Sequence, residues 1–158
     1  MKITLLMVGK NKKKFINEAL REYDKRIKKY LPFYIEEINA IKGSGKYSEK
    51  EIREKEGENI LKALPSDASV VLLDERGKQM DSSGFAKWMQ KTMNTGIRKL
   101  VFVIGGSYGF SDEVYQKADM NLSLSKMTFS HQIVRIVFAE QLYRAFTIIK
   151  GEPYHHGG

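Results

Sequence analysis

Apolar and polar positions along this chain switch repeatedly between a strand-like and a helical period. Met1–Val8 is a continuous apolar run and predicts a strand. Phe15, Ile16, Ala19, Leu20, Tyr23, Ile27 and Tyr30 then recur at helical spacing, which leaves lysines and arginines on the opposite face. Pro32 is expected to stop that helix, and Tyr34–Ile41 reads as the second strand. Lys42-Gly43-Ser44-Gly45-Lys46 reads as a flexible basic loop. Ser48 followed by Glu51 forms a capping box, predicting a charged outer helix through about Leu64. After the Pro65-Ser66-Asp67 turn, Val70–Leu73 reads as a strand covered on both faces, with Asp74–Lys78 as a polar loop behind it. Ser82 or Ser83 is expected to cap a helix carrying Phe85, Trp88, Met89 and Met93, which Gly96 ends. Leu100–Ile104 predicts a buried strand, Ser111-Asp112-Glu113 opens a short helix, and Asn121–Ser125 predicts the last strand. Ser130 is expected to cap a final helix bearing Ile133, Val134, Val137, Phe138, Leu142, Ala145, Phe146 and Ile149. This alternation predicts a single α/β domain over residues 1–158, with a mostly parallel sheet of five to six strands.

Charge changes the picture most. The net charge is +8, and residues 1–30 hold ten Lys or Arg against Glu18, Glu22 and Asp24. Clustered positive charge attracts polyanions, so Lys12, Lys13, Lys14, Arg21 and Lys25 are candidate phosphate contacts, or simply a solvated helix face. The chain has no cysteine, which excludes disulfides, a cysteine nucleophile and zinc–thiolate sites, and fits a reducing, cytoplasmic setting. No apolar stretch approaches the roughly 20 residues of a membrane span. The apolar start is followed by a lysine run without a small-residue cleavage site, so it reads as a strand and not a signal peptide.

Ligands of α/β sheets sit beyond the carboxyl ends of the strands. Three apolar strands here end in loops, after Leu73, Ile104 and Leu124. Gly105 and Gly106 permit close approach of a ligand to the backbone, or simply make a tight turn. Their spacing is not the dinucleotide-binding fingerprint. No Ser/His/Asp set is evident, and no His/Asp/Glu spacing points to a metal. His131 follows Ser130 at a helix start and reads as a capping or packing residue. Arg144, in an otherwise apolar helix, is either a surface residue or an anion contact.

Read in order, several short motifs resemble one family. They are Leu72-Leu73-Asp74…Gly77-Lys78, Ile104-Gly105-Gly106…Gly109, Leu122 through Thr128, and His131…Val134-Arg135. Ala139-Glu140-Gln141-Leu142-Tyr143-Arg144-Ala145 and Pro153-Tyr154-His155 complete the set. Together they resemble the small SPOUT-class methyltransferases of H type, which modify N3 of a pseudouridine in large-subunit ribosomal RNA. The resemblance spans essentially the whole chain. It implies a trefoil knot over about residues 70–158, a homodimer, and S-adenosylmethionine as methyl donor. Pattern alone would predict no knot, because true knots are rare. It also implies donor contacts at Leu73, Gly105, Leu124, Ser125, Lys126, Met127, Thr128 and Phe129. His155 with Tyr154 would lie at the acceptor base, as proton acceptor or as a positioning or stacking group, and Arg144 would contact phosphate or hold the tail. A member of the family carries an arginine after the first tail histidine where this chain has His156, so the resemblance assigns His156 no role.

The expected activity is therefore methyl transfer to large-subunit ribosomal RNA, on an assembled subunit or whole ribosome. The residues alone also admit two other classes. One is a non-catalytic RNA- or ribosome-binding protein, and the other is a nucleotide-using α/β enzyme acting on a small molecule.

Overall fold

A computed structural model of the chain describes residues 1–156, so the last two positions of the expected 1–158 domain lie outside the described residues. The strands are β1 (Lys2–Val8), β2 (Phe33–Ile38), β3 (Ser69–Gln79), β4 (Lys99–Ile104) and β5 (Met120–Ser123). The helices are α1 (Lys14–Ile27), α2 (Glu49–Ala63), α3 (Ser82–Met93), α4 (Asp112–Lys117) and α5 (Ile133–Ile149). The strands form one sheet in the order β2-β1-β4-β3-β5. Every pairing is parallel, as the alternation predicts.

The sheet is covered on both faces because its strands are apolar at consecutive positions. Ile3, Leu5 and Met7 of β1, with Phe102 and Ile104 of β4, join a core shared with α1, α3 and α5. Leu6, Val8, Val70, Leu72, Val101 and Val103 face the other way, toward Ile60 and Leu64 near the end of α2, Phe110, and Val114 of α4. Helix α5 packs against both α1 and α3.

Several local expectations are corrected. The polar stretch Asp74–Lys78 is not a loop: β3 runs on to Gln79, with a register shift against β5 between Leu73 and Lys78. Gly77 allows this, since a Cβ there would lie 2.6–2.8 Å from backbone atoms of Asn121 and Leu122. Helix α3 is capped by Asp81, whose carboxylate accepts the Gly84 N–H at 2.6 Å, and not by a serine. It ends at Met93, ahead of Gly96. Helix α1 ends at Ile27, well before Pro32, and Tyr30 leaves the helical path to stack on Phe146 at 5.3 Å. Strand β2 ends at Ile38 and β5 at Ser123, each short of expectation. The Ser48/Glu51 capping box is present, but α2 is not merely outer, because Ile52, Glu56 and Ile60 are buried.

Candidate functional site

The middle of β3, where its register against β5 shifts, and the segments that leave β4 and β5 enclose a cleft of about 660 Å³. Leu73, Asp74, Glu75 and Arg76 come from β3, and Ile104 through Phe110 from the β4 exit. Leu122, Leu124, Ser125 and Met127 through His131 come from β5 and its exit, with Val134 of α5 below. Of the eight expected donor contacts, seven line this cleft, and the exposed Lys126 does not.

The loops are braced by their own side chains. The Ser125 hydroxyl accepts the Met127 N–H at 2.9 Å, and the Ser123 hydroxyl donates to the Ser125 carbonyl at 3.0 Å. The Thr128 hydroxyl donates to Glu75 at 2.7 Å, tying the β5 exit to β3 across the cleft. The phenol of Tyr115 donates to Asp74 and accepts from Arg76 at 3.1 Å. Burial, then the Asp74 carboxylate, pushes that phenol's pKa up. Of these groups, Glu75, Arg76 and Tyr115 escaped the sequence reading. Their one visible signal was charge immediately after an apolar strand, in Asp74-Glu75-Arg76.

The two glycines also pack closely against the chain's own side chains. A Cβ on Gly105 would lie 2.9 Å from the Phe110 ring, and one on Gly106 would lie 2.7 Å from Glu56 Oε1. Glu56 is only 7% exposed, and its Oε1 has no hydrogen-bond partner among the described residues. Burial alone raises its pKa. The loop is thus closely packed from behind, against an aromatic ring and a buried carboxyl group.

A second construction places the basic loop beside the cleft. Arg135 of α5 is completely buried. Its Nη2 donates to the carbonyls of Val8 (2.8 Å) and Gly9 (2.9 Å), and its Nη1 to Asn11 Oδ1 at 2.6 Å. Its Nε donates to the His131 carbonyl at 3.0 Å. Gln132 adds to this, accepting the Lys12 N–H at 3.3 Å and donating to the Lys10 carbonyl at 3.2 Å. The exposed Lys12, Lys13 and Lys14 therefore follow directly from a segment anchored at the cleft-side start of α5. Arg21 and Lys25 are exposed farther along α1; Arg21, seven residues past Lys14, is about 10 Å away along the axis.

The tail residues do come together. Arg144 donates to Glu140 from Nε (3.0 Å) and Nη2 (2.5 Å), and its Nη1 lies 3.2 Å from His155 Nδ1. Its guanidinium also sits 4.7 Å from the centre of the Tyr154 ring. Tyr154 donates to Glu140 at 3.1 Å, and burial, ahead of its neighbours, pushes its phenol up to about 12. A guanidinium only donates, so His155 Nδ1 is the acceptor and a neutral ring carries its proton on Nε2. This cluster is not on the cleft wall of its own chain. Ten residues of α5 separate Val134 at the cleft from Arg144, about 15 Å along the axis.

His131 is half-buried on the cleft wall. Its side chain is not the expected cap, because the Ser130 hydroxyl takes that place, accepting the Ile133 N–H at 3.1 Å.

Comparison with known proteins matches residues 1–155 to the family described as "Predicted SPOUT methyltransferase". A protein of Christiangramia forsetii named Ribosomal RNA large subunit methyltransferase H is 52% identical over 156 residues, covering 99% of each chain. Proteins of the same name from Parabacteroides distasonis and Bacteroides thetaiotaomicron are each 51% identical over the same length, again with 99% coverage of both chains. Among solved structures, the SpoU methyltransferase AviRb from Streptomyces viridochromogenes, in complex with AdoMet, aligns with a TM-score of 0.47 and 11% identity. That alignment covers 90% of this chain and 57% of the AviRb chain.

Proposed function

Because the chain belongs to the SPOUT methyltransferase family, among its H-type ribosomal large-subunit members, we propose that it methylates N3 of a pseudouridine in large-subunit ribosomal RNA, using S-adenosylmethionine. The observation that carries this reading is the cleft between the middle of β3 and the exits of β4 and β5, set beside an anchored lysine loop. Its volume of about 660 Å³ falls in the range of small-molecule sites. Its walls suit a nucleoside joined to an amino acid. Leu73, Leu122, Leu124 and Phe129 are apolar, while the 105–109 and 124–129 loops add main-chain donors and acceptors. The donor, when bound, supplies a methyl group activated on a sulfonium.

The chain's own task is then to orient and to exclude water. The Thr128–Glu75 bond holds the β5 exit over the cleft, and the Phe110 and Glu56 packing fixes the Gly105–Gly106 turn. Holding reactants in line removes up to roughly 7–11 kcal/mol of a barrier in favourable cases. Lys12, Lys13 and Lys14 contact phosphates and give salt-dependent binding, while Arg21 and Lys25 extend the same basic surface along α1.

The enzyme acts as a homodimer. The Arg144–Tyr154–His155 cluster lies one long helix away from the cleft of its own chain, which suits action at the cleft of a second copy. There His155 and Tyr154 position the acceptor base, and Arg144 holds the tail through His155 while pairing with Glu140. The segment from about residue 70 onward forms the knot, within a single domain. So small a protein has little surface for reading a long RNA sequence, so its target is a shaped site on an assembled large subunit or ribosome. Among the described residues no helix is long and apolar enough to cross a membrane, and the enzyme works with ribosomes in the cytoplasm.

Mass mapping of ribosomal RNA from a strain lacking the protein, before and after adding the purified protein and donor, tests this. A methyl group that disappears from one large-subunit pseudouridine and returns on addition supports the reading. An unchanged methylation map contradicts it.

A further inference from the structure

The acceptor's N3 carries an imide proton that must leave as the methyl group arrives. Within one chain, His155 is badly placed to take it, since its Nδ1 faces a guanidinium and its other nitrogen holds the proton. The cleft contains another imidazole. We propose that His131 is a catalytic residue of this enzyme, accepting the N3 proton of the bound pseudouridine. The inference rests on the cleft being the methyl-transfer site.

Three observations lead to it. First, His131 lines the cleft at the start of α5 and is half-buried, so it reaches both ligand and water. Second, its ring makes no hydrogen bond among the described residues. Its structural contact is the backbone carbonyl, which accepts from Arg135 Nε at 3.0 Å. The ring is therefore free for a ligand, and replacing it leaves the Arg135 anchor in place. Third, its surroundings disfavour the imidazolium. Burial, then Arg135, then Lys12 hold its pKa below the ordinary histidine value, so the ring is neutral near pH 7. The other charged and titratable groups of this cleft are Glu49 from α2, Asp74, Glu75 and Arg76 from β3, and the phenols of Tyr108 and Tyr115. The two nearby cations also favour an anionic base.

The step balances as follows. The N3–H bond breaks and its electron pair stays on nitrogen, while the proton moves to a free nitrogen of His131. The nitrogen pair forms the N3–CH3 bond, and the donor's sulfur keeps the electrons of the broken C–S bond. The His131 proton then passes to solvent through the ring's exposed edge.

Single-turnover methylation of ribosomes tests this with His131→Asn and His131→Gln. Both variants are expected to react about 10²–10⁴-fold more slowly than the unaltered protein. Donor affinity by calorimetry should stay within about twofold. The unaltered protein's rate should rise with pH along an acid limb centred below 6.5, and both variants should lack that limb. Proton NMR of the unaltered protein gives a readout independent of turnover and of any variant's folding. The His131 ring should titrate at the midpoint of the acid limb. A variant within threefold of normal rate, an acid limb kept by the variants, or a His131 titration away from that midpoint would overturn the proposal. Donor binding and methylated RNA from the unaltered protein test the underlying reading separately.

Discussion

Replacing Gly106 by alanine is the perturbation whose outcome separates two explanations of the glycine turn. A Cβ at this position would lie 2.7 Å from Glu56 Oε1 and 2.9 Å from Glu56 Cδ, with Oε2 closer still. Ordinary contacts begin near 3.4 Å and Oε2 would lie at 2.4 Å, so the loop or the carboxyl group must retreat by up to about 1 Å. Neither retreats freely. Glu56 is buried on α2 between Ile52 and Ile60, and Phe110 packs against the neighbouring Gly105. Overpacking of this kind typically costs about 1–3 kcal/mol. Urea unfolding should show a loss of that size, and calorimetry a weakened donor affinity. The discriminating variant is Gly106→Ala combined with Glu56→Ala, which removes the atoms the new methyl group strikes. If packing against Glu56 is why residue 106 is glycine, the double variant recovers stability and donor binding, with a coupling of about 0.5–3 kcal/mol. If it recovers stability but still binds no donor, the glycine is there for ligand approach, and the packing explanation fails.

Burial raises the Glu56 pKa, so the folded protein retains a proton there that the unfolded chain releases. Stability should then fall as pH rises from the ordinary carboxylate range through the raised value, and Glu56→Gln should gain more at about pH 8 than at about pH 5. Equal melting shifts at both values would refute this. Arg135→Met strands the carbonyls of Val8, Gly9 and His131, and should cost about 1–3 kcal/mol in urea unfolding. A loss below about 1 kcal/mol would show that the buried guanidinium is not holding this corner together. Removing Lys12, Lys13 and Lys14 in turn should lower the salt slope of ribosome binding by about one each. An unchanged slope would place the RNA elsewhere.

Element type and order were legible because each segment has one dominant period. The apolar runs of β1, β3 and β4 have no helical alternative of sufficient length, and the Ile16/Leu20/Ile27 spacing suits only a helix. Boundaries were harder where tertiary contact outweighs local preference. Strand β3 extends through five polar residues because β5 pairs again at Lys78 and Gln79, which no local pattern reveals. Asp81 displaces two serines as cap through a preference too small to rank from sequence. Of the site, the loops after β4 and β5 were legible because ligand clefts of parallel sheets lie there, whereas the expected loop after Leu73 is strand. Arg135 was not, because a buried cation satisfied by carbonyls and one asparagine leaves no pattern in sequence. His131 was read as a capping or packing residue, since the cleft and Lys12 meet it only in three dimensions.

The account depends above all on where the methyl donor sits, and a crystal structure with S-adenosylmethionine bound measures that most directly. The account predicts density between the Gly105 turn and the Met127 loop, contacting main-chain atoms of both, with the His131 ring facing the methyl group. Density elsewhere on the protein, or a cleft filled by its own side chains with donor present, would contradict it.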